Sequence, residues 1–307
     1  MILPDGWKEF KVDVQEKIQE LCKSGIWNID ADLMMAWLGN FESDDRYSYI
    51  AHHILDRLIF RTEKMTESSY KRFLSSDFRS YIQDFRGSLG ESVEEWLEGL
   101  ADKNCDWTKD IKLCSVTKSG ENGESGSHII RLLTGGLFSE SHIYSLDVNK
   151  LTDLEDKVII IVDDFVGSGA QFSKFAKEVE LEKAAENNHI IYVPSLAFYK
   201  GVEYIDKKNY GIKVYPLETV TKKEQFFLHE DGAMFCGDDV NSEKDIIDCY
   251  KEMRGLSGKF KEFNWLGFDQ ASLCVGFQWG CPNQSLGAMW FDGGTDWNKL
   301  LRRRGSQ

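Results

Sequence analysis

The sequence predicts an α/β protein, in which a parallel sheet with flanking helices follows a helical N-terminal domain. Over roughly the first hundred residues, apolar side chains recur every three or four positions, the spacing of one helix face. After Asp106, short apolar runs alternate with helical segments, as in parallel strands joined by crossover helices. The run 158–162 is apolar at every position, which predicts a central strand buried on both faces.

The N-terminal region predicts successive helices with aromatic and aliphatic inner faces. The first begins at Trp7 and stops before Gly25, a helix-terminating residue. Asp30 is expected to cap the second helix and Ser43 the third, and a further helical segment covers residues 70–81. Stripes of this kind form cores far more often than cofactor sites, so we assign no chemistry to this region.

The second region predicts the sheet. Its expected strands are 111–117, 142–148, 158–162, 189–193 and 212–215. The predicted organisation is therefore a helical N-terminal domain at 1–105, an α/β core at 106–256 and a C-terminal hood or extension at 257–307.

Composition excludes several classes of protein. The formal net charge of -14 disfavours a broad nucleic-acid-binding surface, because such surfaces need clustered Lys and Arg. The run Arg302–Arg304 is an exception that we interpret as a solvated tail end. The cysteines have no C-x-x-C spacing, which indicates reduced thiols rather than a zinc site. Neither a secretion signal nor a membrane-spanning stretch is evident, so we expect a cytoplasmic protein.

The segment VIIIVDDFVGSGAQF carries the predicted chemistry. A buried strand leads to Asp163 and Asp164, a glycine-containing turn follows, and a helix begins near Ala170. Ligands of open α/β sheets bind at the carboxyl ends of strands, and a helix start with nearby glycines suits a phosphate. Two carboxylates beside it suit ribose hydroxyls or Mg²⁺. The alternative is an acidic strand end that caps an ordinary helix.

This segment is neither a Walker A loop nor a Rossmann fingerprint, because the Lys and the glycine spacing are missing. It resembles instead the PRPP-binding motif of type I phosphoribosyltransferases. Asp163 and Asp164 match the acidic pair, and residues 167–171 match the loop, with Gly167 and Gln171 where the family more often has Thr. The resemblance implies a type I phosphoribosyltransferase-like sheet.

The same resemblance assigns roles to residues. Asp163 and Asp164 are the implied catalytic pair, holding the ribose hydroxyls and Mg²⁺ directly or through water. The residues implied to hold the phosphate and ribose are Val166, Gly167, Ser168, Gly169, Ala170 and Gln171.

Other parts of the chain resemble one bacterial subfamily, the phosphoribosyltransferase-like proteins of conflict and anti-phage defence systems. The segments concerned are NIDADLMMAWLGNFESDDRYSYIAHHILDRL and FDQASLCVGFQWGCPNQSLGAMWF. In the second segment Pro282, Asn283 and Trp290 are candidates for a hood that selects the acceptor, whereas Gly287 departs from the subfamily's Pro.

Type I enzymes have a pyrophosphate loop after the first strand of the core, so the resemblance implies such a loop here. The candidates are Lys118, Ser125, Gly126 and Ser127, the last three at the start of a helix. Helix capping alone explains the Ser-Gly-Ser element equally well. His128 follows it and could act as an acid or base.

Three functional interpretations remain open. The first is an enzyme that displaces pyrophosphate from C1 of PRPP by pentosyl transfer, with Mg²⁺ as cofactor. The second is a module that binds PRPP or a nucleotide without turnover. The third is an effector or scaffold of a defence complex, whose implied partner is a protein such as a reverse transcriptase or a nucleotide-signalling protein.

Overall fold

The computed structural model describes residues 1–86, 92–116, 124–146, 148–229, 235, 238–256, 265–292 and 297–303, with the backbone alone for 84–86, 124 and 125. Its α-helices are α1 (Trp7–Lys23), α2 (Ala31–Gly39), α3 (Asp45–Asp56), α4 (Glu63–Phe73), α5 (Arg79–Arg86), α6 (Val93–Ala101), α7 (Glu124–Thr134), α8 (Ala170–Glu178), α9 (Leu181–Ala185), α10 (Tyr199–Lys208), α11 (Glu243–Glu252) and α12 (Gly287–Trp290). Its strands are β1 (Ile59–Arg61), β2 (Ile111–Ser115), β3 (Val158–Val166), β4 (His189–Phe198), β5 (Lys213–Val214), β6 (Glu218–Val220) and β7 (Val275–Phe277). Within these described helices, none is both long enough and apolar enough to cross a membrane.

The chain forms two compact units. One consists of Met1–Thr62 together with Thr221–Gln307, and the other of Glu63–Val220. These boundaries differ from the predicted divisions after residues 105 and 256. The difference arises because β1 pairs in parallel with β7, so both ends of the chain build the first unit.

The second unit contains the predicted parallel sheet. Its strand order is β2-β3-β4-β5, with β6 also paired to β4, and every pairing is parallel. Strand β3 is interior, as its two-faced hydrophobicity predicts. Phe172 and Phe175 of α8 pack against one face, while α4 and α7 contact β4 and β3. The α/β fold with a parallel sheet and flanking helices is therefore confirmed.

Some predicted boundaries were wrong. Residues 142–148 form no strand in their described part: a 3-10 turn capped by Ser139 ends at His142, and only Ile143 bridges to Leu113. The cap of α3 is Asp44 rather than Ser43, since the Asp44 carboxylate accepts the N–H of Arg46 at 2.9 Å and also pairs with its guanidinium.

The first unit is built largely from the predicted N-terminal helices. Asp30 caps α2 as expected, accepting the N–H of Asp32 at 2.9 Å. The buried core of this unit joins residues from both ends of the chain, including Trp37, Tyr250 and Met289. The Trp37 indole N–H donates to the Ala288 carbonyl at 2.8 Å, which ties α2 to the C-terminal segment.

Candidate ribose-phosphate site

The acid pair lies inside a strand. Strand β3 continues past Asp163 and Asp164 to Val166, whereas the sequence predicted that it ends at the carboxylates. Asp163 is 4% exposed and Asp164 is fully buried. Because neighbouring residues of a strand point to opposite faces, the two carboxylates lie on opposite sides of the sheet.

Asp163 is held by two hydrogen bonds. One carboxylate oxygen accepts the Asp164 N–H at 2.9 Å, and the other accepts the hydroxyl of Tyr192 at 3.0 Å. Burial, followed by the charge of Asp163, raises the pKa of Tyr192 well above its ordinary value. The phenol therefore stays protonated and remains a donor to the carboxylate.

The hydroxyl of a tyrosine on a helix lies against the backbone of this strand pair. Strands β3 and β4 keep one register through the acid pair, in which Asp163 pairs with Pro194 and Phe165 with Leu196. The hydroxyl of Tyr70, from α4, lies 3.1 Å from the Asp163 carbonyl oxygen and 2.8 Å from that of Val193. Tyr70 thus contacts the backbone of both strands beside the acid pair.

The predicted phosphate loop leads into α8. Gly169 caps this helix in the left-handed conformation, with φ of 77°, and the Ala170 N–H approaches the Ser168 hydroxyl oxygen at 3.4 Å. Ala170 and Gln171 are exposed in the first turn. Since the first N–H groups of a helix have no intrahelical partner and lie at its positive end, this turn suits an anion.

Gly201, which lies outside the motif, packs against the backbone of the loop. A Cβ on Gly201, in α10, would lie 2.3 Å from the Gly167 carbonyl oxygen, and one on Gly169 would lie 2.9 Å from the Gly201 carbonyl oxygen. Helix α10 therefore packs directly on the loop backbone. Sequence reasoning missed Gly201, Tyr192 and Tyr70, although a tyrosine within the apolar run 189–193 is a signal, since a buried phenol needs a hydrogen-bond partner.

The Ser-Gly-Ser element lies within the first turns of α7, which begins at Glu124. A Cβ on Gly126 would lie 2.7 Å from the Cβ of Ser115, so the helix start packs against the end of β2. Strand β2 neighbours β3, and the Val116 N–H donates to the Val162 carbonyl at 3.2 Å. The element therefore lies beside the acid-pair strand. Lys118 falls outside the described residues, as does the side chain of Ser125.

His128 contacts a carboxylate, which the sequence did not predict. Its Nε2 lies 3.2 Å from a carboxylate oxygen of Glu63, the first residue of α4. Burial lowers the pKa of His128 below its ordinary value, against opposing effects of the Glu63 and Asp164 charges. The imidazole is therefore neutral at pH 7 and lies within the electrostatic reach of Asp164.

The hood candidates lie in the first unit. Asn283 accepts a hydrogen bond from Nε of Arg303 at 3.1 Å, and the Arg303 guanidinium lies 4.8 Å from the centre of the Trp290 ring. The Trp290 indole N–H donates to the Ser285 carbonyl at 3.1 Å. The Asn283 amide and the Trp290 ring thus share Arg303, and Pro282 precedes them in the same segment.

The acid pair is the candidate metal-binding feature of the site. Among the described residues, no group of three or more His, Cys, Asp or Glu side chains could hold a metal ion. Mg²⁺ is usually bound by one or two carboxylates together with water and substrate phosphates, so either carboxylate of the acid pair would fit as one ligand.

Comparison with known families agrees with this geometry. The model of the PRTase-CE family matches residues 34–303, which is most of the chain. No curated protein sequence gives a significant match. With the parallel sheet, the acid pair and the glycine loop in place, the chain belongs to the PRTase-CE family and is a phosphoribosyltransferase-like protein.

Proposed function

We propose that this protein binds PRPP, or another compound that contains ribose 5-phosphate, together with Mg²⁺. The observation that supports the proposal most is the connection between β3 and α8. Asp163 and Asp164 are fixed before it, and Gly169 opens α8 after it in a left-handed conformation. A carboxylate pair next to an exposed helix start offers partners to both halves of a ribose phosphate.

Each part of the site has a role in this proposal. The first turn of α8 binds the 5-phosphate through the N–H groups of Ala170 and Gln171. The acid pair holds the ribose hydroxyls, directly or through water. When bound, Mg²⁺ neutralises the pyrophosphate charge and so favours its departure from C1. His128, neutral and oriented by Glu63, accepts the proton of an incoming nucleophile.

Binding without turnover is the second candidate function. It is favoured by the burial of both carboxylates and by the two hydrogen bonds that already engage Asp163. A module of this kind would respond to the concentration of PRPP or of a nucleotide through a change in the conformation of the site.

Calorimetric titration tests the binding proposal. PRPP with Mg²⁺ should bind the intact protein and should bind the Asp164→Asn variant at least tenfold more weakly, with circular dichroism confirming that the variant is folded. Titrations with Mg²⁺ alone and with PRPP plus a chelator separate the contributions of metal and ligand. Heat of binding without pyrophosphate release favours the sensing function, whereas no binding of PRPP or ribose 5-phosphate refutes both.

We further propose that the protein acts in the bacterial cytoplasm as an effector of anti-phage defence with a partner protein. Membership of the PRTase-CE family and the resemblance at residues 281–290 support this role. Co-expression with the neighbouring gene, followed by phage challenge, tests it. Equal plaque counts for the intact protein and for a folded Asp164→Asn variant would contradict a role of the site in defence. Growth rescue of a purine- or pyrimidine-salvage mutant by this chain alone would indicate a housekeeping enzyme instead.

A further inference from the structure

Tyr192 contacts both ends of the candidate loop. Its hydroxyl donates to the Asp163 carboxylate at 3.0 Å, before the loop. Its ring stacks on Phe172 of α8, after the loop, with ring centres 3.9 Å apart and planes 20° apart. One fully buried side chain on β4 is therefore in contact with the acid pair and with the first turns of the helix that the loop opens.

The Asp163 side chain also reaches the backbone that leads into the loop. Its carboxylate accepts the Asp164 N–H at 2.9 Å as well as the Tyr192 hydroxyl. Tyr192 therefore holds the same carboxylate that binds the Asp164 backbone.

We propose that Tyr192 is a positioning residue of the site, which sets the acid pair and the start of α8 at a fixed separation. Tyr70 supports it through the carbonyl oxygens of Asp163 and Val193. The inference deepens the proposed function, since the ligand would meet a connection that is held in its binding geometry before it arrives.

The substitution Tyr192→Phe isolates the hydrogen bond. It removes the hydroxyl that donates to Asp163 and keeps the ring that stacks on Phe172.

Hydrogen exchange tests the inference without any ligand. In Tyr192→Phe, peptides covering residues 164–171 should exchange at least tenfold faster than in the intact protein. The matched control is Tyr250→Phe, which removes another buried hydroxyl, one that donates to the Trp265 carbonyl at 3.0 Å in the other unit. It should leave exchange at 164–171 unchanged. Unaltered exchange at 164–171 in Tyr192→Phe would overturn the inference.

Ligand titration of the same variants separates this inference from the proposed function. If PRPP with Mg²⁺ binds the intact protein, Tyr192→Phe should weaken binding about tenfold and Tyr250→Phe should not, because a hydrogen bond to a charged group is lost only in the first. Tyr192→Phe and Asp163→Asn both alter the contact between Tyr192 and Asp163. The loss of binding free energy in the double variant should therefore be smaller than the sum of the two single losses. If the intact protein binds no PRPP, the proposed function fails while the exchange result still decides whether Tyr192 positions the connection. If Tyr192→Phe binds PRPP as tightly as the intact protein does, the inference is contradicted.

Discussion

At the scale of single residues, the acid pair is a structural element as well as a candidate ligand. A carboxylate that is exposed at a strand end contributes little to stability, commonly within about 0.5 kcal/mol. Asp163 and Asp164 are buried, and the Asp163 carboxylate accepts hydrogen bonds from Tyr192 and from the Asp164 backbone. Their substitution should therefore affect folding as well as binding.

We predict that Asp163→Asn lowers the free energy of unfolding by about 1–3 kcal/mol, because the Tyr192 hydroxyl loses a charged acceptor in a buried site. The exposed Asp239, in the other unit, provides the control, and Asp239→Asn should change stability by less than about 0.5 kcal/mol. Chemical denaturation of both variants measures the difference. Equal stability of the two variants would show that the Tyr192 contact adds nothing to folding.

Two histidines of α3, the buried His52 and the partly buried His53, predict a pH dependence of stability. Burial lowers the pKa of His52 and of His53 to about 4, from an ordinary value near 6.5. The ring nitrogens of His53 have no hydrogen-bond partner among the described residues, and its ring stacks on Phe10 with centres 4.2 Å apart. Between pH 6.5 and 4 the unfolded chain binds protons that the folded chain does not.

Stability should therefore fall as the pH decreases from 6.5 towards 4, by about 1.4 kcal/mol for each unit by which a folded pKa lies below the unfolded one. Thermal unfolding at several pH values measures this loss. His53→Phe keeps an aromatic ring and should reduce the loss, whereas the exposed His189→Gln should not. An unchanged pH profile in His53→Phe would assign the loss to other groups.

At the scale of elements, the packing of α10 on the loop is the contact that can be tested most directly. We predict that Gly201→Ala destabilises the protein by about 1–3 kcal/mol and weakens ligand binding, because the new Cβ would lie 2.3 Å from the Gly167 carbonyl oxygen and must displace the loop. Gly39→Ala, at the end of α2, is the control: a Cβ there has nothing within 4 Å. Denaturation and PRPP titration of both variants check the prediction. A Gly201→Ala variant as stable as the control would show that α10 can move away without cost.

The elements also show what the sequence could predict. Patterns of apolar residues were sufficient to predict β3, which is buried on both faces, and α1, which buries one face. They did not predict β1, which is only three residues long and is stabilised by its pairing with β7, far along the chain. The acid-pair loop was predicted from a local motif. Its supports, Tyr70, Tyr192 and Gly201, come from other elements, and no local pattern places them beside it.

At the scale of the whole molecule, the two units differ in which segments of the chain build them. The second unit is one continuous segment, Glu63–Val220, whereas the first needs both ends of the chain. In the first unit, the Asn241 side chain accepts the Ile2 N–H and donates to the Ile2 carbonyl, each at 2.7 Å. Strand β1 likewise pairs with β7, from the other end of the chain.

This arrangement predicts which fragments fold. Residues 63–220 expressed alone should unfold cooperatively, because the fragment contains the whole parallel sheet and the core beneath α8. Residues 1–105 should not, because Trp37 and Phe60 would lose the C-terminal residues that bury them. Heat denaturation followed by circular dichroism compares the two fragments, and mixing 1–62 with 221–307 provides the positive control for the first unit. Cooperative unfolding of 1–105 alone would instead support an independent helical N-terminal domain.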